Sequence, residues 1–218
     1  MVSSVPGFRR LPRAVREQQM LDAAVRVFSR QGYHATSVDE IAEAAGISKP
    51  MVYAYLGTKE ELFIACLHRE GLRLLEALGA AARGGPGSGT DQRLWRGLRA
   101  FLGFVAAHRD GWSVLYRQAR GQEPFAGVLA QMRLRLVEIV ADMLADCSGT
   151  PGDAALAAHA LVGAAEAVAD WVVDHPDADV DRAAERLMAT VWLGLRAALS
   201  SDRPEPGPWR SDEDPGAA

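Results

Sequence analysis

Residues 32–63, GYHATSVDEIAEAAGISKPMVYAYLGTKEELF, predict two short helices, a tight turn between them and the start of a further helix. Ser37 and Glu40 have the S-x-x-E spacing of a capping box, so the first of these helices is expected to start directly after Ser37. Gly46 follows the last apolar residue of that helix, where a residue that tolerates positive φ is favoured. Ser48 can then cap the next helix. Two helices joined by a turn that contains glycine predict a helix-turn-helix arrangement.

The second short helix, about residues 49–55, carries side chains that suit a DNA groove. Val52 is expected on its inner face. The outer surface is left with Lys49, Pro50, Met51, Tyr53 and Tyr55. Phenol hydroxyls and an ammonium donate hydrogen bonds to phosphate oxygens, whereas methionine and proline can contact thymine methyl groups. Either tyrosine alone could instead cover the edge of the core, but the whole arrangement predicts a DNA-binding face.

Residues 17–63 resemble the DNA-binding domain of the TetR family of transcriptional regulators. The matching stretch is LDAAVRVFSRQGYHATSVDEIAEAAGISKPMVYAYLGTKEEL. The resemblance implies an all-α, two-domain protein that binds operator DNA as a homodimer. It also implies a C-terminal domain that holds a small-molecule inducer, and a protein that represses its target genes.

The same resemblance implies roles for individual residues. Thr36 is expected to contact a phosphate near the start of the second helix, and Lys59 to reach a phosphate from the start of the fourth. The full set expected to contact DNA is Thr36, Ser48, Lys49, Pro50, Met51, Tyr53, Tyr55 and Lys59. The sequence departs from the family pattern at Pro50, Leu56 and Gly57. Since Pro50 lacks a backbone donor and changes the surface shown to the bases, the operator sequence is left undetermined.

Charge is unevenly distributed along the chain. The 218 residues are 49% apolar and 24% charged, close to globular averages, and the net charge is −4. Residues 1–35 contain six arginines and two acidic residues, a net of +4, whereas residues 84–218 contain 13 basic and 19 acidic residues, a net of −6. This asymmetry predicts a nucleic-acid-binding head on an acidic body. The basic N-terminus is either an arm that tracks DNA or a solvated segment that aids solubility.

No motif indicates an enzyme, a metal site or a membrane protein. The sequence lacks a Gly-rich phosphate loop, a G-x-S-x-G elbow and an H-E-x-x-H motif, so neither catalysis nor a cofactor is expected. Cys66 and Cys147 belong to no CxxC pair or Cys/His cluster, so neither a bound metal nor a disulfide is expected. A membrane-spanning helix needs about 18 or more consecutive apolar residues, and no run of that length is expected here. The N-terminal arginines are not followed by an apolar stretch, so a signal peptide is not expected either. A cytoplasmic protein with no membrane partner is therefore expected.

The predicted fold is all-α, with about nine helices in two domains. Residues 1–58 are expected to form an N-terminal arm and a three-helix, helix-turn-helix head, and residues 59–200 a helical ligand-binding and dimerisation domain. The fourth helix, about 59–82, is expected to connect them, and residues 201–218 to form a disordered tail. The remaining helices are predicted at about 12–31, 91–107, 111–120, 124–146, 153–174 and 180–199, with Thr90 and Asp110 as caps and with breaks at 83–90 and 148–153.

The eighth helix contains LAAHALVGAAEAVADWVV at 156–173, which is rich in alanine and includes Gly163. Small residues let another helix approach closely, so helices eight and nine of two subunits are expected to form a self-complementary four-helix contact. The expected dimer interface is Ala164, Val168, Leu187, Val191, Trp192 and Leu195. The alternative is that these two helices pack only within one subunit.

Large apolar side chains and a few polar ones are scattered over helices five to eight. Ligand pockets are mostly apolar with a small number of placed polar groups, so a mainly hydrophobic inducer pocket is expected there. The expected ligand-binding residues are Phe101, Phe104, Trp112, Tyr116, Met132, His159, Glu166 and Trp171, with Trp95, Phe125, His108 and Asp170 near them. Each aromatic residue taken alone favours ordinary core, and the assignment depends mostly on the family resemblance.

A second function remains open on the sequence alone. The chain could be a helical protein–protein adaptor whose head no longer binds DNA. Replacing Tyr55 and Lys59 by alanine separates the two functions, because a DNA binder then loses affinity for all sequences and becomes less sensitive to salt.

Overall fold

The computed structural model of this chain describes residues 12–82, 89–145 and 151–199, and these residues form helices and no strand. The helices are α1 Arg13–Gln31, α2 Val38–Ala45, α3 Lys49–Leu56, α4 Lys59–Ala82, α5 Thr90–Ala107, α6 Arg109–Trp112, a π segment Ser113–Gln118, α7 Phe125–Leu144, α8 Pro151–Asp174 and α9 Val180–Leu199. The all-α prediction with about nine helices is confirmed. The predicted arm before residue 12, residues 83–88 of the predicted break at 83–90, Cys147 and the tail at 201–218 lie outside the described residues. The predicted break at 148–153 is wrong at its end, because α8 begins at Pro151, and its residues 148–150 lie outside the described residues.

The start of α2 is fixed by the capping box that the sequence predicts. The Glu40 N–H donates to the Ser37 hydroxyl at 3.2 Å, and the Ser37 N–H donates to the Glu40 carboxylate at 2.8 Å. The N–H and the hydroxyl of Ser37 both donate to this carboxylate, and these two hydrogen bonds hold the pKa of Glu40 below its ordinary value. The helix ends at Gly46, which has φ of 66° in the left-handed region. Both ends of α2 are therefore set by local sequence.

Two compact units divide the described residues. One contains the chain up to Leu72 together with His108–Ala130, and the other contains Arg73–Ala107 together with the residues from Gln131 onward. The first unit thus includes a segment from the middle of the sequence as well as the first part of α4. The division at residues 58 and 59 that the sequence suggests stays a prediction.

The core of the first unit is built around the apolar face of α1, as the helical spacing predicts. The buried residues of α1 are Met20, Leu21, Ala23, Ala24, Val25 and Phe28. Phe28 meets Phe63 of α4 edge-on at 4.9 Å between ring centroids, and Phe125 of α7 lies 4.5 Å from Phe63. An aromatic residue from the later segment therefore completes the core of the N-terminal unit.

Polar contacts also join the later segment to α1. The Ser29 hydroxyl donates to the Asp110 carboxylate at 2.9 Å, and the Gln118 amide donates to the Phe28 carbonyl at 2.5 Å. The predicted role of Asp110 as a helix cap is wrong. Helix α6 begins at Arg109 after His108, and Asp110 lies inside its first turn.

The second unit packs α5, α7, α8 and α9 around an aliphatic core. Its buried cluster includes Leu94, Val137, Met143, Leu144, Ala158 and Leu161. Thr90 is the first residue of α5 rather than its cap, since the Arg93 N–H donates to the Gly89 carbonyl at 3.1 Å. On the surface, the Arg99 guanidinium donates to the Asp181 carboxylate at 2.6 Å and so connects α5 with α9.

One described helix, Gly152–Asp174 of α8, is long and apolar enough to cross a membrane by length and composition alone. The expectation that no apolar run approaches this length is therefore wrong. Core helices of soluble proteins meet the same criterion, and 44% of the apolar window is buried inside the protein. The finding carries no membrane assignment.

Candidate nucleic-acid interface and ligand cavity

The turn between α2 and α3 places α3 with one face against the core and the opposite face in solvent. The Ile47 N–H donates to the Ala42 carbonyl at 3.0 Å directly after Gly46, which closes the end of α2. Val52 is fully buried and Leu56 is 8% exposed, so these two side chains anchor α3 in the core. The inner face predicted for α3 is confirmed, and the opposite face is open to solvent.

The outer face of α3 carries most of the residues expected to contact DNA. Ser48, Lys49, Pro50 and Tyr53 are exposed, and Tyr53 retains 47% of its accessible surface. The Lys49 ammonium lies 2.7 Å from the Asp39 carboxylate of α2, and this partner raises the pKa of Lys49. Ser48 occupies the N-cap position as predicted, but its side chain makes no capping hydrogen bond.

Two arginines at the start of α1 approach the half-buried residues of α3. The Arg13 guanidinium lies over the Tyr55 ring at 5.1 Å from its centroid, within cation–π range. The Arg16 guanidinium lies 3.9 Å from the Met51 sulfur. The sequence predicts the basic charge of this segment but not these two contacts. Their only sequence signal is the i, i+3 spacing of two arginines at a helix start.

Two further residues expected at phosphates are engaged within the protein. Thr36 is 2% exposed, and its hydroxyl donates to the Gly32 carbonyl at 2.7 Å. The Lys59 ammonium lies 2.8 Å from the carbonyl oxygens of both Tyr33 and Thr36 and 3.4 Å from that of His34. Phosphate contacts by Thr36 and Lys59 stay predictions, and they would require these internal hydrogen bonds to be exchanged.

A small apolar cavity of about 60 Å³ lies within the second unit. It is lined by Leu78, Leu94, Gly97, Leu98, Phe101, Leu136, Ile139, Val140, Met143, Leu161, Val162, Ala165 and Glu166. Glu166 is the one charged residue of the lining, and its carboxylate accepts from the Arg133 guanidinium at 3.0 Å. Sites for drug-sized ligands measure roughly 300–1,000 Å³. A ligand of that size would therefore require the lining side chains to move apart.

Two family models and a relative that aligns over most of its length match this chain. The family model for bacterial regulatory proteins of the tetR family matches residues 20–66, and the model for the tetracycline repressor-like C-terminal domain matches residues 90–194. The HTH-type transcriptional activator FasR of Mycolicibacterium smegmatis is 32% identical over 193 residues, which cover 85% of each chain. The chain belongs to the TetR family of transcriptional regulators. It is a DNA-binding transcription factor and not an enzyme.

Solved structures agree with this assignment. A TetR-like transcriptional regulator from Rhodococcus sp. RHA1 is 54% identical, with a TM-score of 0.75 over 85% of this chain and 98% of that one. The regulator FadR from Bacillus subtilis, solved in complex with stearoyl-CoA, has a TM-score of 0.69 over 80% of this chain and 96% of its own. Its identity is 18%, so that likeness shows the TetR fold alone.

The structure brings together only part of the residue set expected to bind a ligand. Phe101 and Glu166 line the cavity of this TetR protein. Phe104 and Met132 are half-buried outside the lining, and His159 and Trp171 are exposed on α8. The rings of Trp112 and Tyr116 stack at 3.8 Å inside the first unit and are not among the residues that line the cavity. Of the nearby residues, Trp95 is half-buried, Phe125 lies in the aromatic core, His108 is exposed and Asp170 is half-buried.

Sequence reasoning missed most of the cavity wall because it selected aromatic residues. The wall is mainly aliphatic, and its members recur at helical spacing, as Leu94, Leu98 and Phe101 do on α5. That spacing is a usable signal for a buried face, but it does not separate a cavity from a filled core. The Arg133 partner of Glu166 was also missed, because 33 residues separate the two along the chain.

An open groove lies on the outside of α8 and α9, where the dimer interface is expected. Val168 and Trp171 of α8 face Arg186, Leu187 and Thr190 of α9 across it. Of the other residues expected at the interface, Ala164 is half-buried. Val191 and Trp192 pack against the core cluster of their own subunit. The side chain of Leu195 lies outside the described residues. Val191 and Trp192 are therefore partly buried in the core of one subunit.

Proposed function

We propose that this TetR protein binds a palindromic operator in the cytoplasm as a homodimer and leaves the operator when a mainly hydrophobic ligand binds. The observation that carries the proposal is the exposed face of α3. Lys49 and Tyr53 are exposed there, while Val52 and Leu56 hold the opposite face in the core. An ammonium and a phenol hydroxyl on such a helix suit contacts to phosphates and base edges in the major groove.

The short length of α3 supports binding as a dimer. A helix of 8 residues reads few base pairs, and helix-turn-helix dimers place two such helices about 34–36 Å apart on successive major grooves. The groove between α8 and α9 is the proposed contact, because Val168 and Trp171 line it and Trp171 is 48% exposed. Exposed apolar surface rimmed by polar residues marks interaction sites of this kind.

The proposed ligand is a compound with a long acyl chain. The cavity wall is almost wholly aliphatic, and the Glu166–Arg133 pair supplies its one charged group. The stearoyl-CoA bound by the Bacillus subtilis FadR supports the same ligand class. Since the cavity holds about 60 Å³, the ligand would bind an opened conformation. It would weaken DNA binding only by its preference for that conformation, typically by ~1–3 kcal/mol of coupling.

We further propose that the bound protein represses transcription. A second candidate is activation, because the 32% identical relative FasR is a transcriptional activator. Transcription in vitro from a promoter that carries the operator separates the two. Repression predicts fewer transcripts when the protein is added and recovery when the ligand is added, whereas activation predicts more transcripts with the protein alone.

Selection of bound duplexes from a random DNA pool tests the operator proposal. We expect a palindrome with half-sites about one helical turn apart, bound by a species of twice the 23.4 kDa subunit mass in mass photometry. Lys49→Ala should weaken binding to the selected duplex, whereas Arg135→Ala, an exposed residue of α7, should not. If folded dimers enrich no sequence at low salt, the adaptor function becomes the better explanation.

A panel of fatty acids and acyl-CoA thioesters of increasing chain length tests the ligand proposal. We expect the longer chains to raise the melting temperature and to release the selected duplex, with short chains inactive as the matched control. If no member shifts the melting temperature or releases DNA, the proposed ligand class is wrong, although operator binding would stand.

A further inference from the structure

Two arginines of α1 lie against the helix that carries the candidate DNA-binding face. The Arg13 guanidinium lies over the Tyr55 ring at 5.1 Å from its centroid, and the Arg16 guanidinium lies 3.9 Å from the Met51 sulfur. The two arginines are i, i+3 neighbours on one side of α1, and their two partners are i, i+4 neighbours on one side of α3. The two contacts therefore form one continuous edge between the helices, here called the arginine edge.

The positive charge of the arginine edge has no acidic partner in the part of the chain that the structure describes. Among those residues, neither guanidinium makes an ion pair with a carboxylate. Lys49 of α3 differs, because its ammonium lies 2.7 Å from the Asp39 carboxylate. Positive charge that no carboxylate balances therefore reaches the side of α3 from α1.

The hydrogen-bond donors of the arginine edge are accessible to an anion. A guanidinium has five N–H donors, and the Met51 sulfur is only a weak acceptor for one N–H of Arg16. Arg13 contacts the face of the Tyr55 ring, which attracts the cation without accepting from a particular N–H. Arg13 is exposed and Arg16 is half-buried, so solvent reaches both. The planar guanidinium matches two phosphate oxygens at once, so each arginine suits a phosphate group.

The two arginines do not serve the stability of α1 itself. Acidic side chains stabilise the first turn of a helix, whereas basic side chains are unfavourable there. Helix α1 begins at Arg13 and has no acidic residue in its first turn. The charge at this position is therefore explained better by an interaction outside α1.

We propose that the arginine edge is a second phosphate-binding element, which contacts the DNA backbone beside the groove that α3 enters. The inference deepens the proposed operator binding and rests on it. The major groove is about 12 Å wide, so a helix that lies in it has a phosphate strand along each side. Side chains that contact Met51 and Tyr55 from the side of α3 are then next to one of these strands.

This element contributes affinity rather than sequence readout. Phosphate contacts hold a protein in register on the duplex but carry no sequence information directly. Arg13 and Arg16 therefore strengthen binding to every duplex, whereas Tyr55 and Met51 hold the two guanidinium groups in position. The Tyr55 hydroxyl stays available for its own contact with DNA, because Arg13 covers the face of the ring.

Salt-dependent binding of Arg13→Met, Arg16→Met and the double variant tests the proposal. Methionine keeps an unbranched side chain and removes the charge, and the melting temperature of each variant checks its fold. Arg26→Met is the matched control, because Arg26 is exposed on the same helix, roughly 20 Å further along its axis. The selected operator duplex and an unrelated duplex of equal length are titrated between about 50 and 200 mM salt, the range in which phosphate contacts dominate the change in affinity.

Each phosphate contact contributes about 0.9 to the slope of log K against log salt, or about 1.8 for the two subunits of a dimer. For Arg13→Met and for Arg16→Met we expect a slope smaller by about 1.8 with both duplexes, so that wild-type affinity falls about twelvefold more than that of either variant over this range. The double variant should lose about twice as much slope, and Arg26→Met none. Arg13→Lys should keep most of the slope, because it keeps the charge.

A structural role for the arginines gives a different result. If they only hold α3 in place, the double variant should keep the wild-type slope and lose affinity for the operator duplex alone. Either of those two results would overturn the inference.

A neutral methylphosphonate, placed at one backbone position of the operator duplex at a time, locates the contact in the wild-type protein. At positions that border each half-site, loss of the phosphate charge should weaken wild-type binding and leave binding by the double variant unchanged. If no position distinguishes the two proteins, the inference is wrong, although operator binding stands. If the wild-type protein binds neither duplex, operator binding and this inference both fail.

Discussion

Gly97 of α5 offers a direct test of the cavity in the second unit. It lines the cavity, and a Cβ placed on it would meet only the Met143 methyl, at 3.8 Å, among atoms within 4 Å. That distance is ordinary van der Waals contact. Gly97→Ala should therefore be accepted without strain, stabilise the helix and narrow the cavity.

The size of the effect follows from two contributions. Replacing glycine by alanine in a helix interior stabilises by about 1 kcal/mol through backbone entropy. Burying one additional methyl group contributes about 0.8 kcal/mol. Together they predict an increase of about 1.8 kcal/mol in the free energy of unfolding, and a rise in melting temperature of about 5 °C for a chain of this length.

Gly103→Ala is the matched control within the same helix. Gly103 is exposed, and a Cβ there meets nothing within 4 Å, so only the entropy contribution of about 1 kcal/mol is expected. Chemical denaturation of both variants isolates the packing contribution as their difference. If Gly97→Ala were less stable than Gly103→Ala, the space beside Met143 would be smaller than described, and the reasoning would be refuted.

The same substitution links the cavity to regulation. A methyl group on Gly97 occupies space that the proposed acyl ligand would fill, so binding of the active acyl compound should weaken about tenfold, equivalent to about 1.4 kcal/mol. Gly103→Ala should leave that affinity unchanged. Calorimetric titration measures both. Equal affinities in the two variants would show that the ligand does not enter this cavity.

Three further predictions concern ionisable groups. The pKa of Glu40 is lower in the folded protein than its ordinary value of about 4.5, so its capping hydrogen bonds should stabilise the protein fully above that pH. This stability should be lost as the pH falls through the lowered pKa of the folded state. Urea denaturation should therefore show that Glu40→Gln reduces stability at pH 7 and reduces it much less at pH 3. Burial raises the pKa of the Cys66 thiol to about 12, so with the other cysteine replaced by serine a thiol reagent at pH 8 should label it only after unfolding. Arg99→Ala should leave the free energy of unfolding nearly unchanged, since the pair with Asp181 is exposed and screened by solvent; a clear loss of stability would mean that the pair also holds α9 in place.

Sequence alone predicts the features of this fold that depend on neighbours along the chain. The Ser37–Glu40 capping box and the left-handed Gly46 place α2 to the residue, because each requires only a local spacing. The inner face of α3 follows from helical periodicity in the same way. The exposed residues of α3, which are the core of the candidate DNA-binding face, are what remains after Val52 and Leu56 are assigned to the interior.

Features that depend on distant residues are not accessible to that reasoning. The carbonyl partners of Lys59 lie 23 to 26 residues earlier in the chain, and nothing in the local sequence indicates them. Likewise, the spacing that marks an apolar helix face does not show whether Leu98 and Phe101 border a cavity or fill it. The misassigned Asp110 has the same origin, since its partner Ser29 is 81 residues away.

The segment His108–Ala130 has a practical consequence for building hybrid regulators from this chain. Grafting a foreign head at residue 58 would combine Tyr33 from one parent with Phe125 from the other, although these rings lie 4.8 Å apart in one core. Such a hybrid would inherit a mismatched interior before its specificity could be measured. A transplant should therefore exchange the first 72 residues and the segment at 108–130 together, as a discontinuous cassette from a single donor.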